Sequence, residues 1–400
     1  MAKSKYVNPF RPGAGHMPPY LAGRKSERNE FLRLLAQDIV LENMVLTGLR
    51  GVGKTVLLDT FKPNAMSAGW LWVGTDLSET TSLSESHICI RMLADLSVVT
   101  SSVTLDRHQE QRIGFGERST VERKFDFGTM SALFSDTPGL SSDKLKAVLE
   151  TAWEVLQPHS IRGIVFAYDE AQNMKDHAAK HQYPLSLMLD VFQSIQKKGI
   201  PFMLLLTGLP TLFPKLVEAR TFSERMFHVV FLDRLDESES RDAIVKPVQK
   251  LPSQTQMNKE SVELVIGDSG GYPYFIQFIC REVYDVFLQS TGENLSVPII
   301  DIKRKLDTDF FSGRWAKATD RQRELLTLVA HLPNCDTEFT IQAVSELSKQ
   351  MLEKPFSNSQ ISNMFVKLGA AGLVYKNRHG KYSFAVPMLG EFIQRQGIAD

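Results

Sequence analysis

The sequence predicts an α/β domain, a parallel sheet with helices on both faces, followed by a helical unit and a winged helix-turn-helix. Three observations carry this. Through the first 235 residues, continuous apolar runs rather than alternating ones recur between helical stretches, which is what strands of a doubly covered parallel sheet require. The strand signals then fade into successive helical patterns. From Thr319 onward, three helical stretches precede two short strands around a glycine turn.

Taken in order, MAKSKYVNPFRPGAGHMPPY is rich in Pro and Gly and reads as an extended arm, residues 1–19. FLRLLAQDI at Phe31 to Ile39 has helical spacing, and NMVLTG at Asn43 to Gly48 is a short apolar strand ending in glycine. Strands follow at Trp70 to Val73, Ile164 to Tyr168 and Phe202 to Leu206, with helices at Leu83 to Leu96, Lys144 to Leu156 and Leu185 to Gln196. The stretch 98–143 turns polar, with one weak apolar patch at Met130 to Phe134, and is expected to be a mobile insertion in a core spanning 20–235. Ser238 to Lys250, Asn258 to Gly267, Pro273 to Gln289 and Val297 to Phe311 read as helices of a small unit, 236–317. In the last unit, 318–400, helices at Asp320 to His331, Thr340 to Leu352 and Ser357 to Ala371 precede LVYKNRHGKYSFAV, a hairpin.

Composition narrows the function classes. The 400 residues leave room for two or three domains at roughly 150 residues each, and 43% hydrophobic with 23% charged residues is an ordinary globular balance. Lys+Arg and Asp+Glu both number 46, which excludes a globally basic coat for nucleic acid but not a local basic patch. Cys89, Cys280 and Cys335 lie far apart without metal-ligand spacing, so buried thiols in a reducing compartment are expected rather than a disulfide frame or zinc site. No run of about 18 apolar residues and no secretory apolar stretch is present, so the expectation is a cytoplasmic protein without a membrane partner.

GLRGVGKT at Gly48 to Thr55 fits G-x-x-x-x-G-K-[ST] directly after a strand and before the helical VLLDTF. A triphosphate needs close backbone N–H groups and a helix N-terminus aimed at it, which only a glycine-rich loop allows. Gly48, Gly51 and Gly53, with Val52 between them and Val56 beyond, form that cradle. Lys54 is placed to reach the β- and γ-phosphates of ATP, and Thr55 to ligate Mg²⁺. GIVFAYDEAQNM supplies the second half: the apolar run to Tyr168 releases Asp169 and Glu170 at the strand's C-terminal end, where ligands of open α/β sheets bind. Asp169 is the candidate for the Mg²⁺ shell and Glu170 for the general base. Standing alone, an acidic pair after an apolar run also describes a solvated strand end. Paired with the glycine loop, it points to a P-loop NTPase.

These residues resemble the AAA+ ATPases, within them the branch holding origin-recognition, transposition-regulator and STAND ATPases, and the resemblance covers about residues 17–400. YLAGRKSE at Tyr20 to Glu27 is similar to the branch's hhGRxxE opening motif beside the adenine, with Arg24 and Glu27 at the matching positions; it also reads simply as the charged start of a helix. The resemblance places sensor 1 on LLLTGLP, with Thr207 as its polar residue where asparagine is commoner. It places an arginine finger for a neighbouring subunit in TFSERMF, with Arg225 preferred and Arg220 the alternative. In GDSGGYPYFIQF no arginine stands near Gly270, and GGYP resembles the GxP feature of STAND-type lids, with Pro273 packing on the nucleotide; proline also favours a first helical turn. ATP hydrolysis is therefore expected to be slow.

A winged helix can lay its third helix in a DNA groove with the wing on the backbone. Lys367, Lys376, Arg378, His379 and Lys381 supply positive charge there, whereas Asn358, Gln360 and Asn363 are the only amide candidates for base edges and the net charge is zero. Two classes stay open. One is an initiator, loader or transposition regulator that self-associates with ATP between subunits and assembles on DNA. The other is a STAND-like regulator or defence ATPase that acts through a protein partner. STAND chains carry long sensor repeats after the winged helix, whereas this sequence ends at Asp400, which favours the first. A metabolic kinase is disfavoured because no second substrate motif is visible.

Overall fold

A computed structural model describes residues 8–101, 104–110, 119–250, 257–289, 297–333, 335–378 and 380–396. The chain divides into two compact units, one of Arg24–Thr47 and Lys54–Phe231, the other of Met1–Gly23, Gly48–Gly53 and Leu232–Asp400. Each is described by itself.

The sheet-bearing unit runs α1 (Lys25–Leu35), β1 (Asn43–Gly48), α2 (Lys54–Ser67), β2 (Trp70–Val73), α3 (Glu85–Thr100), β3 (Thr104–Glu110), β4 (Ser119–Lys124), α4 (Phe127–Asp136), α5 (Ser141–Leu156), β5 (Gly163–Tyr168), α6 (Pro184–Lys197), β6 (Phe202–Gly208), α7 (Leu212–Ala219), α8 (Ser223–Met226) and β7 (Phe227–Leu232). Among the described residues its main sheet has five strands in the order β2-β5-β6-β1-β7. The pairs β2–β5, β5–β6 and β6–β1 are parallel, with Ile164 opposite Phe202 and Leu46 opposite Thr207. The connection after β1 leads past β6 and β5 to β2, while the one after β6 leads past β1 to β7. The crossovers leaving the neighbouring strands β1 and β6 therefore run in opposite directions, and such a switch point opens a crevice at the strands' carboxyl ends.

Helices on both faces explain why the inner strands are largely apolar. Every residue of β1, β5 and β6 is buried. Phe166 of β5 meets Phe192 of α6 edge-on at 5.2 Å, and Phe31 of α1 stacks on Phe61 of α2 at 4.3 Å. Each such ring contributes roughly 1.5–3 kcal/mol on burial. The fold class is thus the one the apolar runs imply.

Several elements differ from the sequence reading. Helix α1 starts at Lys25 rather than Phe31 and stops at Leu35, because Ile39, 54% exposed, and Leu41, 72% exposed, belong to the link into β1 and not to the core-facing stripe. The polar stretch 98–143 holds more regular structure than its composition suggests: β3 and β4 pair antiparallel, and α4 buries Met130 under an N-cap from Asp126 to the Thr129 N–H at 2.8 Å. Strand β7 and helices α7 and α8 were not anticipated.

The second unit contains α9 (Glu237–Val245), α10 (Lys259–Ser269), α11 (Pro273–Gln289), α12 (Ile299–Leu306), a π-helical turn (Asp307–Ser312), α13 (Gly313–Trp315), α14 (Asp320–Ala330), β8 (Phe339–Thr340), α15 (Ile341–Met351), α16 (Asn358–Ala370), β9 (Val374–Arg378), β10 (Lys381–Phe384) and α17 (Leu389–Gln396). Strands order β8-β10-β9, both pairs antiparallel, so α14 to α16 and the hairpin form a winged helix-turn-helix with an added third strand. Its core gathers Phe339, Phe365 and Phe384, with Phe339 at 5.7 Å from Phe365 and 5.6 Å from Phe384. The unexpected α17 closes it, Gln394 donating to the Ala330 carbonyl at 2.6 Å and Arg395 pairing with Asp307 at 2.6 Å. Cys89, Cys280 and Cys335 are buried thiols, and burial is the main cause that pushes Cys89 up to about 12 and Cys335 to about 11. No helix among the described residues is long and apolar enough to cross a membrane.

Gly74, just past β2, has φ +124°, and a Cβ there would lie 1.9 Å from the Ala167 carbonyl oxygen of β5. That neighbour is sheet backbone and cannot swing aside. Gly74→Ala should therefore lower unfolding free energy by about 2–4 kcal/mol, read by urea denaturation, whereas an unchanged midpoint would show that β2 is not held against β5 as described.

Candidate functional site

At the carboxyl end of β5 the chain leaves the sheet through Asp169, only 4% exposed. The Thr55 hydroxyl, in the first turn of α2, donates to Asp169 Oδ2 at 2.5 Å, and the Glu170 N–H donates to Oδ1 at 2.7 Å. The Leu77 N–H holds the Asp169 carbonyl at 2.9 Å. Burial pushes the Asp169 carboxyl above its ordinary value; the Thr55 hydroxyl and the Glu170 N–H oppose that, and the charges of Glu170 and Asp76 add to it. A carboxylate this buried and crowded by like charge favours a cation beside it.

Glu170 occupies the left-handed region, φ 51°, ψ 31°, and opens the 3₁₀ turn Ala171–Asn173. For a residue with a Cβ this costs on the order of 1–2 kcal/mol, and it turns the side chain off the strand's line. Its carboxylate accepts a hydrogen bond from the Gln172 side-chain amide. On β6, Thr207 stands one register step beyond the Tyr168–Leu206 pair, fully buried, with a hydroxyl that finds no hydrogen-bond partner among the described residues. An orphaned hydroxyl at the switch point is the kind of group a ligand or water satisfies. The structure thus brings Thr55, Asp169, Glu170 and Thr207 to one end of the sheet, and Lys54 is joined covalently to Thr55.

The two arginines of the 220–225 segment differ. Arg220 grips Asp190 through Nε and Nη2, each at 2.7 Å, and donates from Nη1 to Ser186 Oγ at 2.9 Å and to the Ala219 carbonyl at 2.8 Å. Arg225, on α8, is exposed and has no side-chain hydrogen bond or ion pair among the described residues. Arg24 is 8% exposed at the start of α1 and pairs with Glu27 at 3.2 Å.

In the other unit, Gly51 and Gly53 take φ +81° and +91°, and Val52 is buried. A Cβ on Gly53 would meet nothing within 4 Å, so that side of the loop is open. Gly48 has no such room: a Cβ would lie 2.5 Å from the Leu232 carbonyl oxygen. Pro273 opens α11, and the next residue's N–H, Tyr274, donates to the Gly51 carbonyl at 3.0 Å. On the winged helix, Asn358, Asn363, Lys367 and Lys376 are exposed and Lys381 is half-buried. Gln360 is taken by its own helix, accepting from the Ser357 N–H at 2.9 Å in a capping box, which weakens its candidacy for a base edge. His379 lies outside the described residues, and so does the Arg378 side chain.

Comparison with known proteins gives a fold. The chain is similar to the Aeropyrum pernix ORC2 protein in its structure with ADPNP and ADP, at 14% identity and a TM-score of 0.56, covering 97% of this chain and 98% of that one. The ADP form of the same protein gives 16% identity, a TM-score of 0.55 and coverage of 96% and 97%. Residues 308–393 match a family described as a domain of unknown function, DUF8462. No protein of curated function matches the sequence. The AAA+ resemblance drawn from the motifs therefore holds at the level of fold.

Since Arg220 is committed and Arg225 free, their substitutions should separate. Arg220→Ala should cost about 1 kcal/mol of stability, moderated by its partial exposure, while Arg225→Ala should stay within about 0.5 kcal/mol, both read by thermal denaturation. Equal losses would contradict the assignment.

Proposed function

We propose that this chain is an ATPase that binds Mg-ATP, hydrolyses it slowly and uses the nucleotide state to control assembly on DNA. The observation that carries the reading is the hydrogen bond between Thr55 and Asp169, since it couples the residue after the phosphate-loop lysine to the acidic strand end. A hydroxyl and a buried carboxylate are the hard oxygen donors Mg²⁺ takes, with water and phosphate oxygens completing its shell. The nucleotide complexes of the Aeropyrum pernix ORC2 protein support ATP as the ligand.

In this reading Gly48, Gly51, Val52 and Gly53 offer backbone N–H groups to the phosphates, with Val56 in the helix turn behind them, and Lys54 meets the β- and γ-phosphates. Thr55 and Asp169 hold Mg²⁺, which when bound neutralises phosphate charge. Glu170 accepts a proton from water as the water oxygen bonds to the γ-phosphorus; the β–γ bridging P–O bond breaks and its electron pair leaves with ADP. Thr207 would orient that water or touch the γ-phosphate. Arg225, exposed and unpaired, suits an arginine finger offered to a second copy, where Arg220 does not. Arg24 would lie beside the adenine.

The DNA element rests on the winged helix and its exposed Lys367 and Lys376. One observation favours the STAND-like alternative, a switch acting on a protein partner: no arginine stands near Gly270, and Pro273 opens the helix whose next N–H binds the phosphate loop. Such a lid ties helix α11 to the loop through main chain rather than through a charged side chain.

Lys54→Ala should abolish binding of a fluorescent ATP analogue, and Glu170→Gln should retain binding while phosphate release falls by roughly 10²–10⁴-fold. Wild-type turnover in Glu170→Gln would remove the base assignment. For the DNA element, Lys376→Glu with Lys381→Glu should weaken duplex binding and flatten its salt dependence by about one to two units of log–log slope. Unchanged affinity in fluorescence anisotropy would leave the protein-partner reading standing instead.

A further inference from the structure

Gln172, two residues beyond Glu170, has no part in the reading above, yet it is 9% exposed and both ends of its amide are engaged. Its Oε1 accepts the Leu209 N–H at 3.0 Å, and its amide nitrogen donates to Glu170 Oε2. The orientation of the amide is dictated by chemistry. A backbone N–H can only donate, so it must face the carbonyl oxygen; a carboxylate can only accept, so it must face the NH₂. The main chain is pinned as well, its carbonyl accepting from Lys215 Nζ at 2.7 Å. Gly208 leaves the space: a Cβ there would lie 2.6 Å from Gln172 Oε1.

Leu209 directly follows β6, the strand that carries Thr207. The amide therefore ties the Glu170 carboxylate to the end of the strand presenting the orphaned hydroxyl. Glu170 itself leaves β5 in a left-handed conformation, and its side chain is held by the Gln172 amide.

We propose that Gln172 is a positioning residue for hydrolysis: it holds the Glu170 carboxylate in place and couples it to the carboxyl end of β6. This rests on the ATPase reading. Because a base displaced by about 1 Å can lose on the order of 100-fold in rate, the effect belongs in turnover and not in nucleotide affinity.

The test is steady-state ATP hydrolysis by the full chain, with Kd for a fluorescent ATP analogue and the thermal midpoint measured in parallel, for wild type, Glu170→Gln, Gln172→Glu and Gln172→Leu. Gln172→Glu keeps the acceptor for Leu209 and the shape but sets a carboxylate against Glu170; Gln172→Leu removes both bonds. The expected result is a fall in kcat of about 10- to 100-fold in both variants, with KM and Kd within about threefold of wild type. Turnover within twofold of wild type in Gln172→Glu would overturn the proposal, as would a change confined to KM. A rise in kcat in either variant would also overturn it, since the amide would then restrain the base rather than place it. If wild type turns over and Glu170→Gln does not, the ATPase reading stands whatever Gln172 shows; no turnover in wild type removes both.

Discussion

A buried carboxylate at the end of β5 accepts a hydrogen bond from the hydroxyl at the start of α2, and that bond ties the strand end to the helix. Asp169 could not stay 4% exposed at the end of β5 without donors, and Thr55 and the Glu170 N–H supply them. To deliver Thr55, α2 must begin at Lys54, immediately after a loop whose glycines take left-handed backbone angles. To deliver Asp169, β5 must run buried along its whole length beside β6. The apolar strands set the positions, and the polar residues appear only where the strands end. In an α/β sheet this division is general, because only the carboxyl-end crevice leaves polar groups both fixed and accessible.

How far the sequence discloses this depends on what each element packs against. β1, β2 and β5 are legible because their runs are dominated by apolar residues, with NMVLTG and GIVFAY buried along their whole length and WLWV apolar even at the sheet edge. The glycine loop and the acidic pair are legible because phosphate binding tolerates few residue types at those spacings. β7 is hidden: FHVVFL faces the core with only part of its residues, leaves Val229 37% and Phe231 53% exposed, and follows a charged turn. Helix α7 is masked by Pro214, which its first turn accommodates but which reads as a break. The β3–β4 ribbon carries little apolar signal, TLDRHQE and STVERK offering only Leu105 and Val121.

Side-chain partners are the least legible layer. Nothing in the spacing of TFSERMF separates Arg220 from Arg225; only the packing of α6, which presents Asp190 and Ser186, does so. Gln360 looks like a base-reading amide until its place three residues after Ser357 is seen to be a cap. Gln172 gives no signal at all, since its contacts with Glu170 and Leu209 exist only once β5 and β6 lie side by side. Burial and partner geometry, which are long-range facts, decide these roles, whereas residue type and spacing decide the motifs.

The central claim is that Thr55 and Asp169 share one divalent cation on a bound nucleoside triphosphate. The most direct measurement is anomalous diffraction from crystals grown with Mn²⁺ and a non-hydrolysable ATP analogue, which locates the metal without reference to activity. The account predicts a single strong peak at about 2.0–2.2 Å from Thr55 Oγ1, with Asp169 in or against its coordination shell. A peak elsewhere, or nucleotide density with Thr55 still bonded only to Asp169, would contradict it.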